Sequence, residues 1–477
     1  MSYGYSFINC ALTKVDPNSE YIGDLATQWQ ISEDSLEYTF NLRKDVKFHD
    51  GSDFTADDVV FTYETVKANQ AENESVDLTK LKSVEALDDY TVKFTLSEPY
   101  SPFFDSVAKL GIVPSDNYDS EKFNKYPIGT GAWKVIQYDT EQQIIVEANN
   151  DYYEGVPEIK KVTFVNMDNE AAFSNAKSGQ IDIVMVGPNY TSEKIDGMNL
   201  VKFNTMDIRN ISMPCRKEQV INKDGKEIKI GNNVTSDVAV RKALSIGIDR
   251  EKIINDGLNG VGKKAEGFTA NLKWGGVVSY EDNQKTEAEK ILTEAGWIDS
   301  NNDGIREKDG QPCEFTVYAA ANDQQRYLLA VAVAEDAKEI GIKINVKQSS
   351  WDEIYSVCNS EPVVWGWGQY SPIVLKNLLY SDMFLEGGTL NAVGYSNRKV
   401  DEAIDNAISS NNQENAINYW RQAQEIAADD YPYLYIVNIE HSFFINNKID
   451  ISIDTQIPHP HGHGSPIICN MKDWRIK

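Results

Sequence analysis

Cysteine is scarce: five occur in 477 residues, Cys10, Cys215, Cys313, Cys358 and Cys469. They are widely spaced, odd in number and form no CxxC pair, which excludes a dense disulfide framework and a zinc ribbon. They are expected to behave as small core hydrophobes. No apolar run approaches the roughly 18 residues of a membrane-spanning helix. Cations are also short, with 46 Lys+Arg against 73 Asp+Glu and a net charge of −27. That deficit argues against nucleic acid, whose phosphates need neutralising, and against anionic membrane surfaces. Its simplest consequence is a well-solvated surface. The catalytic templates HExxH, GxSxG and the P-loop are missing. Two SxxK matches, Ser106–Lys109 and Ser174–Lys177, lack the SDN and KTG motifs that would partner them. No internal repeat or low-complexity stretch occurs. The stretch Met1–Asp16 has neither a basic n-region nor a long apolar core, so no secretion signal is read there.

The length allows about three domains at roughly 150 residues each. Strand-like alternation dominates the first half, in Thr91–Leu96, Trp133–Ile136 and Gln143–Glu147, separated by turn clusters such as Asn149–Asp151 and Glu154–Pro157. The second half reads as helical. Asp237–Leu258 carries apolar residues at helical spacing and predicts one helix. Thr286–Ala295 predicts a short helix stopped by Gly296. Gln325–Ile340 and Glu414–Ala428 show the same period.

The richest stretch is Leu25–Val66. Tyr38, Phe40 and Leu42 alternate as in a half-buried strand, the chain turns at His49-Asp50-Gly51, and Thr55 with Asp58 predicts a helix N-cap. The block resembles, almost position by position, the signature LAxxWxxSxDGxxYTFxLRxxVKFHDGxxxTAxDVxFxxE of extracellular solute-binding protein family 5, the large proteins that feed peptide and nickel ABC importers. Ser35 stands where the family has glycine, a change expected to alter one turn and little else. The resemblance continues through Pro127–Trp133, Asn149–Tyr153 and Ser178–Ile183, and covers essentially the whole chain.

It implies an α/β, two-lobed periplasmic-binding-protein-like fold of the large class II type, with an additional β-rich domain and interrupted connectivity. One ligand-binding domain is expected from 1–12, 151–236 and 441–477, the β-rich domain from 13–150, and the second ligand-binding domain from 237–440. Two chain crossings between the ligand domains then make a hinge. Against the family, the chain reads as starting late, without the secretion signal and first mature strand.

The resemblance places the ligand cleft along Val363–Pro372, where Trp365, Trp367, Gln369 and Tyr370 are candidate contacts that would supply aromatic area; the same aromatics also suit a core. Peptide-binding relatives put an aspartate here for the peptide ammonium, and this chain has Gly368 and Gln369 instead. Nickel-branch arginines and histidine do not carry over: no arginine lies between Arg43 and Arg209, and no histidine between His49 and His441. Arg209 and Asn210 fall on a strand that borders the cleft in relatives. An arginine there could clamp a carboxylate, or else form a surface salt bridge with Asp207 or Glu193.

His459, His461 and His463 alternate along one segment and suit nickel, zinc or copper if extended, although the intervening Pro460 and Gly462 favour a structural loop. His49 is read as structural and His441 as a satisfied, partly buried histidine. Asp299, Asn301 and Asp303 open like a calcium loop, but Gly310 stands at the twelfth position.

These features together predict an importer's binding component, taking a short peptide or else a nickel or other metal chelate. A ligand sensor on the same fold and, last, an enzyme are the alternatives. No cofactor is expected. The partners implied are ABC permease subunits, with no nucleic acid, and with membrane contact only through a lipid anchor absent from this chain. The protein is expected to be a monomer at the extracellular face or in the periplasm.

Overall fold

Period-two alternation makes the early chain antiparallel sheet. The computed structural model describes residues 7–70, 76–268, 272–276, 281–387, 389–459, 461 and 467–477. Ala26–Ile31, Glu37–Leu42, Thr91–Leu96 and Leu81–Asp88 lie side by side in that order. The inward set Tyr38, Phe40, Leu42, Val92, Phe94 and Leu96 is buried, as the pleat requires. Phe94 takes Phe40 edge-on at 5.6 Å and Tyr63 at 4.7 Å. Trp133–Asp139, Gln143–Ala148 and Lys161–Val165 form a second, three-stranded sheet.

The helix Ala56–Ala68 starts at Thr55, whose N–H donates to the Asp58 carboxylate at 2.9 Å. His49 is structural: Gly129 N–H donates to Nδ1 at 3.2 Å and Nε2 meets the Gly131 carbonyl at 3.0 Å. Ser35 does more than reshape a turn. It holds φ at +55°, a region glycine enters more easily, and its hydroxyl donates to the Asn411 carbonyl at 3.1 Å.

The later chain is helical, in Val238–Gly247, Arg250–Leu258, Lys285–Glu294, Gln324–Ala337, Arg398–Ile408 and Gln413–Ala428. The single helix expected over 237–258 is two. Ile248 is extended, and the Asp249 carboxylate accepts from the Lys252 N–H at 2.9 Å, so an N-cap inside the apolar pattern restarts the helix. Gly296, at φ +89°, ends Lys285–Glu294 as expected. All five cysteines are free, and Cys10, Cys313 and Cys358 are buried in cores.

Two long antiparallel strands, Met198–Ser212 and Tyr433–Asn446, run through more than one core. Phe203, Phe443 and Ile445 pack with the β-rich part, whereas Ile211, Leu434, Ile436 and Val437 pack with the helices. Their register slips between Asn204 and Ile208 and again between Arg209 and Asn210. Such irregularities re-aim side chains, and the candidate site lies at this one. The β-rich and helical parts also meet directly. Ser101 donates its N–H to the Ile408 carbonyl at 2.9 Å and its hydroxyl to the Ala407 carbonyl at 2.8 Å. Among the described residues no helix is long and apolar enough to cross a membrane.

Candidate functional site

The strand Val364–Trp367 pairs with Met198–Ser212 and sets Arg209 opposite Gly366 and Asn210 opposite Trp365. Because Gly366 has no side chain, three polar groups close over it. A Cβ there would lie 2.5 Å from Arg209 Nη1, 2.5 Å from His461 Cε1 and 2.9 Å from Arg326 Nη2.

Arg326 comes from the first turn of Gln324–Ala337. Its Nε donates to Asp323 at 2.8 Å, its Nη1 to the Val364 carbonyl at 2.9 Å, and its guanidinium lies 5.2 Å over the Trp351 ring. Arg209 bonds Asp207, whose same oxygen lies 2.8 Å from His461 Nδ1. This is no surface salt bridge: Arg209 is 6% exposed and Asp207 4%, while Glu193 pairs with Lys177 instead. Burial would raise the Asp207 carboxyl, but the Arg209 charge and the His461 bond reverse that and hold it well below the usual carboxylate range. Burial, then Arg209, pulls Arg326 below its ordinary value. Two buried guanidiniums, one paired with Asp207 and the other with Asp323, thus converge at Gly366, and their remaining N–H donors suit an incoming anion.

Several polar atoms around this cluster are buried without a partner among the described residues: Arg209 Nε, both amide atoms of Asn210, Trp367 Nε1 and His441 Nδ1. His441 is thus not the satisfied histidine expected: its buried Nδ1 has no partner among the described residues, and burial pushes its pKa down to about 4.

The histidine segment is zipped onto the strand irregularity. Met206 N–H donates to the His459 carbonyl and His461 N–H to the Gly368 carbonyl, both at 2.9 Å, and the Tyr370 hydroxyl donates to the Pro458 carbonyl. The His459 ring lies 5.5 Å from that of His441. His463 lies outside the described residues. At the other candidate ion site, Asp299, Asp303 and Glu307 bring carboxylates together, but the loop's own amides bond them: Asp303 and Gly304 N–H to Asp299, and Ser300 N–H to Glu307.

The aromatic block divides. Trp365 is buried, donates Nε1 to Ser212 Oγ at 3.1 Å, and stacks on Trp351 at 5.9 Å and Tyr355 at 6.4 Å. Tyr370 is buried as well, its carbonyl accepting from Trp274 Nε1 at 2.8 Å. Trp367 and Gln369 instead line a cavity of about 330 Å³ whose opposite wall is Asp77, Tyr100, Asp105, Ser106 and Lys109 of the β-rich part.

The model of the bacterial extracellular solute-binding proteins, family 5 Middle, matches residues 20–381. The chain belongs to this family. The oligopeptide-binding protein AppA of Bacillus subtilis is 32% identical over 456 residues, covering 91% of this chain and 80% of that one. Among solved structures, NikZ from Campylobacter jejuni in complex with Ni(L-His) is similar at TM-score 0.79 and 25% identity, over 99% of this chain and 94% of that one. AppA from B. subtilis in complex with a nonapeptide is similar at TM-score 0.72 and 25% identity, over 100% and 97%. The two-lobed fold expected of a family 5 protein is the one observed, and this is a solute-binding protein of an extracellular family.

In this family 5 protein, sequence reading missed Arg326, whose only signal was an arginine in the first turn of a helix whose buried face is mostly apolar. It also missed the wall from Asp77 to Lys109. The SxxK match had marked Ser106 and Lys109 for a different chemistry; here Ser106 Oγ donates to the Asp77 carbonyl and Lys109 is paired with Asp105 at 2.7 Å.

Proposed function

We propose that the protein is the substrate-binding component of an ABC importer and that it captures a short peptide between its lobes. The observation that carries this is the convergence of Arg209 and Arg326 over Gly366, beside the partnerless amide of Asn210. Planar guanidiniums bind a carboxylate through paired N–H donors, and a peptide C-terminus presents such a group. Trp367 and Gln369 would flank the bound chain. The peptide-binding relative supports the same reading.

The two long strands Met198–Ser212 and Tyr433–Asn446 would serve as the hinge between ligand domains 1–12, 151–236 and 441–477 on one side and 237–440 on the other, with 13–150 as the β-rich addition. A binding role without catalysis is supported by the use of Ser106 and Lys109 in structural bonds.

One observation favours a second reading, capture of a metal chelate: the rings of His459 and His441 lie 5.5 Å apart near the Asp207–His461 pair, beside the guanidiniums that would take the chelator's carboxylates. Thermal-shift measurements with dipeptides, longer peptides and nickel–histidine separate the two. Ligand at a hundred times its Kd stabilises by about 2.7 kcal/mol. A shift with peptides is expected; a shift with nickel–histidine alone defeats the peptide reading.

A further inference from the structure

The cleft segment of this chain carries Gly368 and Gln369 and no carboxylate to meet a ligand ammonium. The facing wall does. Asp77 lies where two cavities adjoin, one of about 330 Å³ and one of about 510 Å³, which share Asp77, Tyr100, Ile373 and Asn377. The first is closed across the cleft by Trp367 and Gln369, so a molecule touching those residues lies within reach of this wall.

The charges lining the two cavities do not balance. Asp77, Glu98, Asp105 and Asp405 stand against Lys80, Lys109 and Lys376. Lys109 is spent on Asp105, a pair less than a tenth exposed on either side, and Lys80 on Glu98. Asp405 accepts from the Tyr380 hydroxyl at 3.1 Å, and Lys376 lies 5.6 Å over that same tyrosine ring. Asp77 has only neutral donors: Tyr100 OH at 2.6 Å on one oxygen, and Thr79 N–H at 2.9 Å and Oγ1 at 2.7 Å on the other. Among the described residues no cation lies within ion-pair distance of it. The oxygen bonded by Thr79 already takes two donors, whereas the one bonded by Tyr100 takes one and has a further lone pair free for a donor. Burial acts to raise its pKa, but the Tyr100 and Thr79 bonds, helped by the more distant Lys376 charge, outweigh that and keep it below the usual value, so it stays ionised at neutral pH.

We propose that Asp77 is a specificity-determining residue that receives an ammonium group of the bound ligand. It takes the place, from the β-rich side of the cleft, of the carboxylate that the cleft segment lacks. With the guanidiniums at Gly366 holding the opposite charge, the cleft selects ligands that carry an amine and a carboxylate at separate ends. This rests on the peptide reading above.

The test uses the full chain and two casein digests. One is made from casein acetylated before trypsin cleavage, which blocks lysine amines but leaves the new α-amines free. The other is acetylated after cleavage, which blocks both. Binding is read by thermal shift and by native mass spectrometry, on wild type and on Asp77→Asn, with the unliganded melting temperature as the fold control. An untreated tryptic digest serves as the reference.

The expected result is that wild type binds the untreated digest and at least ten-fold less of the fully blocked one, and that D77N loses this discrimination. Retention of binding to the first acetylated digest assigns the ammonium to the peptide terminus; its loss assigns it to a lysine side chain. Equal binding of blocked and unblocked peptides by wild type overturns the proposal, even if D77N fails to fold. Unchanged discrimination by a folded D77N also overturns it and leaves the peptide reading standing. If wild type binds no digest, both fall together.

Discussion

Asp207 and Arg209, two residues apart on one strand, close an ion pair with each side chain at most 7% exposed. Removing the arginine would leave a buried carboxylate bonded to His461, with the more distant Arg326 as its remaining cation. Arg209→Met is expected to cost about 3–5 kcal/mol in urea denaturation, the range for breaking one partner of a buried pair. A loss below about 1 kcal/mol would show that the pair is solvated and is no cleft element. Ligand affinity should fall further than stability explains if the same guanidinium meets the ligand as proposed.

Acid should destabilise the protein in two steps. The folded-state pKa of His441 is pushed down to about 4, against an ordinary 6.5. Its contribution is therefore complete above pH 6.5 and is lost as pH falls towards 4, because the unfolded chain takes up the proton first. That shift is worth at most about 3 kcal/mol. His49 behaves in the same way. Asp207, with its pKa depressed, adds stability that is present above about pH 4 and fades below it. His441→Leu should flatten the slope of stability between pH 6.5 and 4 by about one proton. An unchanged slope in a folded variant would place the titration elsewhere.

Gly366→Ala isolates the cluster from its backbone. The glycine needs no left-handed conformation, so the cost of a methyl is contact alone, against Arg209, His461 and Arg326. Overpacking of this kind costs about 1–3 kcal/mol. The expected outcome in calorimetry is a modest fall in melting temperature with at least a ten-fold loss of affinity for whichever peptide the wild type binds. Full affinity would place the carboxylate of the ligand away from these arginines.

How far the sequence discloses this arrangement depends on what each residue's neighbours are. Alternation at Tyr38, Phe40 and Leu42 and the Thr55–Asp58 cap depend on local spacing, so they can be read along the chain. The Leu25–Val66 block carries family and fold for the same reason. The break at Ile248 was hidden because Asp249 reads equally well as a polar-face residue or as a cap, and only its bond to Lys252 decides. The site is the least legible part. Arg209 and Trp367 fall in blocks that could be marked, but Arg326 meets them only through the pairing of distant strands, and Asp77 lies about 290 residues before Trp367. Contacts of that separation leave no periodic trace.

The serines that join the β-rich part to the helical part should act as a clasp on the closed form. Ser101 Oγ bonds the Ala407 carbonyl, Ser35 Oγ bonds the Asn411 carbonyl, and both acceptors lie at or beyond the C-terminal end of Arg398–Ile408. The Ala407 carbonyl is one that a helix end leaves unsatisfied, and the Asn411 carbonyl belongs to the linker that follows, which makes both ready partners. Each side-chain bond is worth about 1 kcal/mol net, so losing both shifts the closed-to-open ratio by roughly thirty-fold. Ser101→Ala removes one bond without touching the backbone bond to Ile408. Ser35→Gly removes the other while suiting φ +55° better than serine does. The double variant should therefore fold normally, release its ligand at least ten-fold faster in stopped-flow displacement, and show a larger radius of gyration in ligand-free solution scattering. Unchanged release and unchanged dimensions would mean that the two parts move as one body and that opening occurs at the paired strands Met198–Ser212 and Tyr433–Asn446 without breaking this contact.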